Sequence, residues 1–221
     1  MTLIDYPGKI ATTVFTVGCS FRCPFCHNPE LVLRPGIKNN LEKEFFKFLE
    51  KRKGKLEGVC ITGGEPTIQS DIIDFIKKIK KIGYSVKLDS NGSRPDVLRK
   101  IIKERLVDFI AMDIKDSQEK YQKTTGEKAD IERIKLSVEI IRNSKIPYEF
   151  RTTVVPGIHK EKDFEKIAKW IRGSRAYYLQ EYRETKILDS NLKKITKGKS
   201  IDLEKIKNKI EKNFENFGIR G

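Results

Sequence analysis

Apolar positions along the chain follow two alternating rhythms. Short β-branched and aromatic runs such as KIATTVFTV (9–17), LEGVCITGG (56–64) and YSVKLDSNG (84–92) read as strands. Between them, apolar residues recur at 3- and 4-residue spacing, which puts one apolar face on a helix. In NLEKEFFKFLEKRKG, Phe45, Phe48 and Leu49 share that face, with Asn40 as N-cap and Gly54 as the stop. SDIIDFIKKIKKIG predicts a helix from Ser70 to a Gly83 cap, and RPDVLRKIIKERL predicts one with Pro95 in its first turn. VDFIAMDIK, YEFRTTVVPG and AYYLQEY complete six strands, with DIERIKLSVEIIRNSK and KDFEKIAKWIRG as helices between them. A final amphipathic helix is predicted over 201–217, carrying Leu203, Ile206, Ile210, Phe214 and Phe217. The polar, Lys-rich segment Thr185 to Lys199 is expected to be a mobile connection to it.

Six strands separated by helical crossovers imply one mostly parallel sheet with helices outside it. A closed eight-stranded barrel takes ~250 residues. Six units in 221 residues therefore predict an open, incomplete barrel or a doubly wound sheet, in a single domain without repeats or linkers.

Charge changes this picture little. Charged residues are 35% of the chain and the net charge is +15, which raises nucleic acid as a partner. The acidic residues interleave with the basic ones along the helical segments, and no run alternates basic residues with aromatics as a single-strand-binding groove would. A charged, solvated surface is the favoured reading, with an acidic protein partner as a second and no nucleic acid. The first residues do not resemble a signal peptide, and no apolar run approaches the ~20 residues of a membrane helix. Three crowded cysteines of four make a ligand set rather than a disulfide framework, so a cytoplasmic setting is expected.

In parallel α/β folds, chemistry gathers where strands end. Here the first strand runs into GCSFRCPFCHNPE (18–30), the second ends in Gly63-Gly64-Glu65-Pro66, the third in Asp89-Ser90-Asn91-Gly92, and the fourth in Asp113-Ile114-Lys115. Cys23, Cys26 and His27 fit the C-x-x-C-H of a c-type haem, but no export signal accompanies them. Zinc on Cys19, Cys23, Cys26 and His27 would crowd four ligands that structural zinc usually takes from two knuckles. A dithiol of Cys23 and Cys26 gives Cys19 no role. An iron–sulfur cluster on Cys19, Cys23 and Cys26 uses all three and leaves one iron open to a cosubstrate. Cys60, inside an apolar strand, is read as a core residue, and His159 as a surface loop residue.

CSFRCPFC and GGEP together resemble the radical S-adenosylmethionine (radical SAM) enzymes. More narrowly, IDYPGKIATTVFTVGCSFRCPFCHNPEL, the Cys-His-Asn after the third cysteine and MDIK resemble the glycyl-radical-enzyme activating enzymes. The likeness is greatest to those serving anaerobic ribonucleoside-triphosphate reductase, and it extends to about residue 182. It implies a partial (β/α)6 barrel over 1–184, open laterally, with 185–221 as a basic extension bearing the last helix. It also implies that Cys19, Cys23 and Cys26 hold a 4Fe–4S cluster whose open iron binds S-adenosylmethionine. One electron, from a carrier such as flavodoxin or ferredoxin, would release a 5′-deoxyadenosyl radical that takes hydrogen from a glycine of the partner enzyme. By the same resemblance, Gly63, Gly64 and Glu65 would lie along the methionine moiety. Asp89, Asp113, Ile114 and Lys115 would lie near its carboxylate and the ribose, with room for a monovalent cation. Phe25, Cys26 and His27 would border the adenosine. Relatives often carry a histidine late in the barrel, where this chain offers Gln180 or Glu181.

Overall fold

The computed structural model describes residues 1–33, 41–126 and 129–221, so Asn40 and its capping role lie outside the described residues. The elements run β1 (Ala11–Thr16), α1 (Pro29–Leu33), α2 (Leu41–Lys51), β2 (Gly58–Gly63), α3 (Ile72–Ile82), β3 (Ser85–Ser90), α4 (Pro95–Lys103) and β4 (Phe109–Asp113). They continue with α5 (Tyr121–Thr125), α6 (Ile131–Arg142), β5 (Tyr148–Val154), α7 (Glu161–Trp170), β6 (Ala176–Glu181), α8 (Leu192–Thr196), α9 (Leu203–Ile210) and β7 (Asn216–Arg220).

All seven strands form one sheet in chain order, every neighbouring pair parallel. Strands joined by helical crossovers must be parallel, and the covering helices account for the outward apolar face. Leu98 and Ile101 of α4, Ile134, Val138 and Ile141 of α6, and Phe164 and Ile167 of α7 are all buried against the sheet. Gly83 ends α3 in the left-handed region (φ 108°), and Asp130 caps α6 by accepting from the N–H groups of Glu132 and Arg133, as the residue types lead one to expect. Among the described residues β1 and β7 are the sheet's two edges, so the barrel is open between them.

The C-terminus departs from the helix predicted over 201–217. α9 stops at Ile210, a 3-10 turn covers Glu211–Asn213, and the chain then becomes a seventh strand beside β6, with Ala176 opposite Asn216 and Gln180 opposite Arg220. Phe214 and Phe217 fit the helical spacing by coincidence. Their rings pack against Tyr177, at centroid distances of 5.0 and 5.8 Å. The unpaired edge of β6 supplies the backbone partners that a local pattern cannot reveal. The Lys-rich segment before α9 also differs from the expected free connection. It carries α8, buries Leu192, and donates the Asp189 N–H to Pro24 O at 3.0 Å.

Candidate active site

The cysteine loop leaves β1 through Gly18 (φ 95°) and is tied to α1, to α5 and to itself. Gly18 N–H donates to Leu31 O at 2.7 Å, Arg22 N–H to Thr125 O at 2.8 Å, and the Arg22 guanidinium to Cys19 O and Phe21 O, both at 2.8 Å. Phe21 and Phe25 anchor the loop in the core, Phe21 edge-on to Tyr121. The loop's backbone is therefore fixed by groups other than the thiols. Cys19, Cys23 and Cys26 all line one cavity at the C-terminal ends of the strands. Cys60 does not. It is buried on β2, with its Sγ 3.8 Å from Lys87 Nζ, in keeping with the core role read from the sequence.

Gly63, Gly64 and Glu65 line the same cavity, but the two glycines also answer to a packing demand. Gly63 has φ 116°, and a Cβ on Gly64 would lie 1.9 Å from Gly18 O. Glycine lets the start of the cysteine loop lie directly on this turn, where Gly64 N–H donates to Thr16 O and Glu65 N–H to Gly18 O at 2.9 and 2.8 Å. Glu65 is fully buried. It accepts from Thr67 N–H (3.0 Å) and the Thr67 hydroxyl, from Ser90 Oγ (2.8 Å), and from Asn91 N–H (2.6 Å). Burial pushes its carboxyl up, and these four donors pull it back. It thereby locks the β2 turn to the β3 turn.

Across the cavity runs an ion-pair ladder on the inward faces of β3 to β7. Asp89 meets Lys87 and Arg151; Asp113 meets Lys115 at 2.9 Å and Arg151 Nε at 2.9 Å; Glu149 is held bidentately by Arg220 at 2.9 and 2.8 Å. Arg220 also stacks on Tyr178, 3.5 Å from the ring centroid. Burial alone would raise the Asp113 carboxyl, yet Arg151 and Lys115 hold it well below the usual carboxylate range. Burial would lower Lys115 and Arg151, but their carboxylate neighbours keep both fully charged. The ladder holds four cations against three carboxylates.

Asp89, Asp113 and Lys115 thus line one cavity together with Phe25, Cys26 and His27. Ile114 does not reach it: its side chain is buried in the core, and its backbone bonds to β5 through Arg151 O and the Thr152 hydroxyl. Gln180 and Glu181 are not among the cavity's lining; Arg151 and Thr153 of β5 are. These two escaped the sequence reading, although YEFRTTV carries a signal. Glu149, Arg151 and Thr153 share one face of the strand while Phe150, Thr152 and Val154 are buried on the other. His27 stacks on Tyr182 with a centroid distance of 6.0 Å, and its Nε2 lies 3.1 Å from Arg183 O.

His159 is a correction to the sequence reading. It is 3% exposed, not a surface residue. Its Nδ1 accepts from Val155 N–H at 2.9 Å, and its Nε2 lies 2.9 Å from Lys115 O, which assigns the proton to Nε2. Its ring also meets that of Phe25 edge-on, so one imidazole joins the β5 turn, the carbonyl of Lys115 and the cysteine loop. The turn at Pro156-Gly157 folds it back under the rim, a tertiary feature that local polarity does not announce.

Among the described residues, no three His, Cys, Asp or Glu side chains form a group suited to one metal ion. A tetrahedral zinc would need its ligands drawn onto one point. A 4Fe–4S cluster attaches each thiolate to a different iron, so it needs thiols spread around one cavity, and the three-cysteine set fits that demand. Burial pushes Cys23 up to about 12, against the pull of Lys115, and raises Cys19 as well. Assembly of a cluster must therefore displace protons.

The open parallel barrel and its three-cysteine loop define a class: the chain belongs to the radical SAM superfamily, whose family model matches residues 13–171. Within that superfamily it is homologous to the glycyl-radical-enzyme activating enzymes. A "Putative glycyl-radical enzyme activating enzyme" of Methanocaldococcus jannaschii is 31% identical over 229 residues, covering 100% of this chain and 92% of its own. The pyruvate formate-lyase-activating enzyme of Clostridium pasteurianum is 31% identical over 183 residues, covering 79% of this chain and 74% of its own. Among solved structures, SuiB of Streptococcus suis bound to S-adenosylmethionine superposes with a TM-score of 0.74 at 14% identity, over 96% of this chain and 50% of that one. Coproporphyrinogen III oxidase of Escherichia coli, a radical SAM enzyme, gives 0.62 at 14% identity, over 95% and 52%. The chain thus spans about half the length of these solved structures, and they speak for its fold. Membership implies a 4Fe–4S cluster and S-adenosylmethionine. Among the described residues no helix is long and apolar enough to cross a membrane.

Proposed function

We propose that this protein generates a glycyl radical on a partner enzyme, of the anaerobic ribonucleotide reductase class or a related glycyl-radical enzyme. The observation that carries the reading is one cavity in which Cys19, Cys23 and Cys26 face Asp113, Lys115 and Arg151. In this reading the three thiolates hold the cluster. Lys115 and Arg151 meet the carboxylate of the cosubstrate, for which the ladder's surplus cation is suited. The backbone of Gly63 and Gly64 lies along the methionine moiety, and the Phe25 to His27 segment borders the adenosine. Asp89 and Asp113 supply oxygens for a monovalent cation. When bound, cluster and cosubstrate supply a carbon-centred radical able to take hydrogen from a glycine α-carbon. The protein's part is to fix the geometry and keep other hydrogen donors away. The gap between β1 and β7 leaves a lateral path for a glycine-bearing loop. A low-potential carrier such as flavodoxin or ferredoxin supplies the electron, and the cytoplasm is the compartment in which such thiols and clusters persist.

The test is anaerobic EPR of the reconstituted, reduced protein with S-adenosylmethionine and candidate glycyl-radical enzymes. A cluster signal that shifts on adding the cosubstrate, followed by a glycyl-radical doublet in a partner, is the expected result. Cosubstrate cleavage with consumption of a small metabolite, and no glycyl radical in any partner, would replace this reading with small-molecule chemistry.

A further inference from the structure

The segment between β6 and α9 forms a strap across the outside of the cysteine loop. Asp189 N–H donates to the carbonyl of Pro24, which sits between Cys23 and Cys26; Arg183 O lies 3.1 Å from His27 Nε2, next in sequence to Cys26. Tyr182 stacks on His27, and Lys186 reaches Glu30 at 3.0 Å. Leu192 and Thr196 of α8 are buried, so the strap is a fixed surface rather than a loose tail. No strap residue lines the cavity.

Its outward face is basic. Arg183, Lys186, Lys193, Lys194, Lys197 and Lys199 are all exposed, against Glu184 and Asp189 in the same stretch. Elsewhere on this protein some lysines are answered by carboxylates, as Lys205 and Lys209 are by Glu161 and Glu165. Others, Lys81, Lys100 and Lys103 among them, stand without an ion pair among the described residues, so what sets the strap apart is its place against the cysteine loop. Among the described residues Arg183, Lys194, Lys197 and Lys199 have no ion pair, and Lys193 has only a long one to Glu184, at 3.9 Å.

We propose that this strap is the docking surface for an acidic one-electron carrier protein. The inference rests on the iron–sulfur reading above. The carrier is oxidised by one electron and the cluster is reduced by one; no atom is transferred. Electron transfer slows steeply with distance, so a carrier must sit against the wall of the cluster, and this wall is the strap. The glycine substrate has the opposite requirement, because its α-carbon must enter the cavity itself. Unpaired surface cations steer an acidic partner and make its binding salt-dependent.

The probes are oxidised flavodoxin and, separately, oxidised ferredoxin, both acidic, with affinity measured by calorimetry on the full chain. The test variant is the triple Lys194→Glu, Lys197→Glu, Lys199→Glu. A control triple, Lys81→Glu, Lys100→Glu, Lys103→Glu, changes the same charge near the C-termini of α3 and α4, at the far end of the strands. Expected are at least a tenfold rise in Kd for one or both carriers in the strap variant, less than threefold in the control, and wild-type binding that weakens between 50 and 300 mM salt. Stopped-flow reduction of the cluster by the carrier should slow in parallel, while reduction by dithionite stays unchanged. A second variant, Lys186→Gln with Lys193→Gln, should give an intermediate rise. Equal Kd for strap and control variants overturns the proposal, as does a strap variant that loses affinity for a glycyl-radical enzyme but for neither carrier. Iron that fails to load into wild-type protein overturns the iron–sulfur reading instead, because carrier affinity is read without it.

Discussion

Replacing Arg151 by Met removes the centre of the ladder while keeping a side chain of similar length. Arg151 is 13% exposed, bonds Asp113 at 2.9 Å and Asp89 at 3.3 Å, and lies 3.9 Å from Glu149. Removing one partner of a buried pair costs about 3–5 kcal/mol. Here each stranded carboxylate keeps a second cation, Lys115 for Asp113, Lys87 for Asp89 and Arg220 for Glu149, so the lower end applies. The expected loss at pH 7 is ~3 kcal/mol, or a fall in Tm of roughly 6–12 °C for a chain of this size. The pH dependence follows from Asp113, whose carboxyl is depressed in the folded wild type. A depressed carboxyl contributes stability that is present above its unfolded value, ~3.9, and is lost as pH falls toward its folded value. Arg151→Met relieves much of that depression. The gap between wild type and variant should therefore shrink by about 1 kcal/mol between pH 5 and pH 3. Urea unfolding of the cluster-free proteins at both pH values measures it. A loss under ~1 kcal/mol at pH 7, or a gap that does not change down to pH 3, would refute the account of the ladder.

Cys23→Ala should abolish cluster assembly and Cys60→Ala leave it intact, read as iron per chain; an iron-loaded, fully active Cys23→Ala protein would sink the ligand assignment. Gly64→Ala should force apart two backbones that meet at Gly18 O, costing about 1–3 kcal/mol in urea unfolding and lowering iron per chain. Arg220→Ala uncovers the buried Glu149 carboxylate; because Arg220 is itself 39% exposed, the loss should be about 2 kcal/mol, seen in urea unfolding. His159→Phe should weaken S-adenosylmethionine binding about tenfold (~1.4 kcal/mol) in equilibrium titration by releasing the Lys115 carbonyl, whereas His159→Gln, which can still donate there, should restore most of it.

The parallel α/β class and the placement of the informative residues at strand ends were legible because alternation and turn chemistry are local properties. The three cysteines, the glycine pair, and Asp89, Asp113 and Lys115 could be named before the fold was seen. Arg151 could not, since its meaning comes from Asp89 and Asp113 on other strands. His159 looked like loop and turned out to be a buried joint, because a turn returns it beneath the rim. Phe214 and Phe217 kept helical spacing while belonging to an aromatic cluster around Tyr177. Periodicity is ambiguous over so few residues, and the vacant edge of β6 decided the outcome.

By itself, the sequence determined which segments alternate, where they break, and which thiols and carboxylates the breaks carry, all consequences of covalent order and local backbone preference. Only the tertiary structure decided which of those groups face each other, how the ladder shares its charges, and that the basic segment after β6 lies against the cysteine loop. Those outcomes depend on contacts between residues far apart in the chain, whose free energy appears only once the sheet has brought them together.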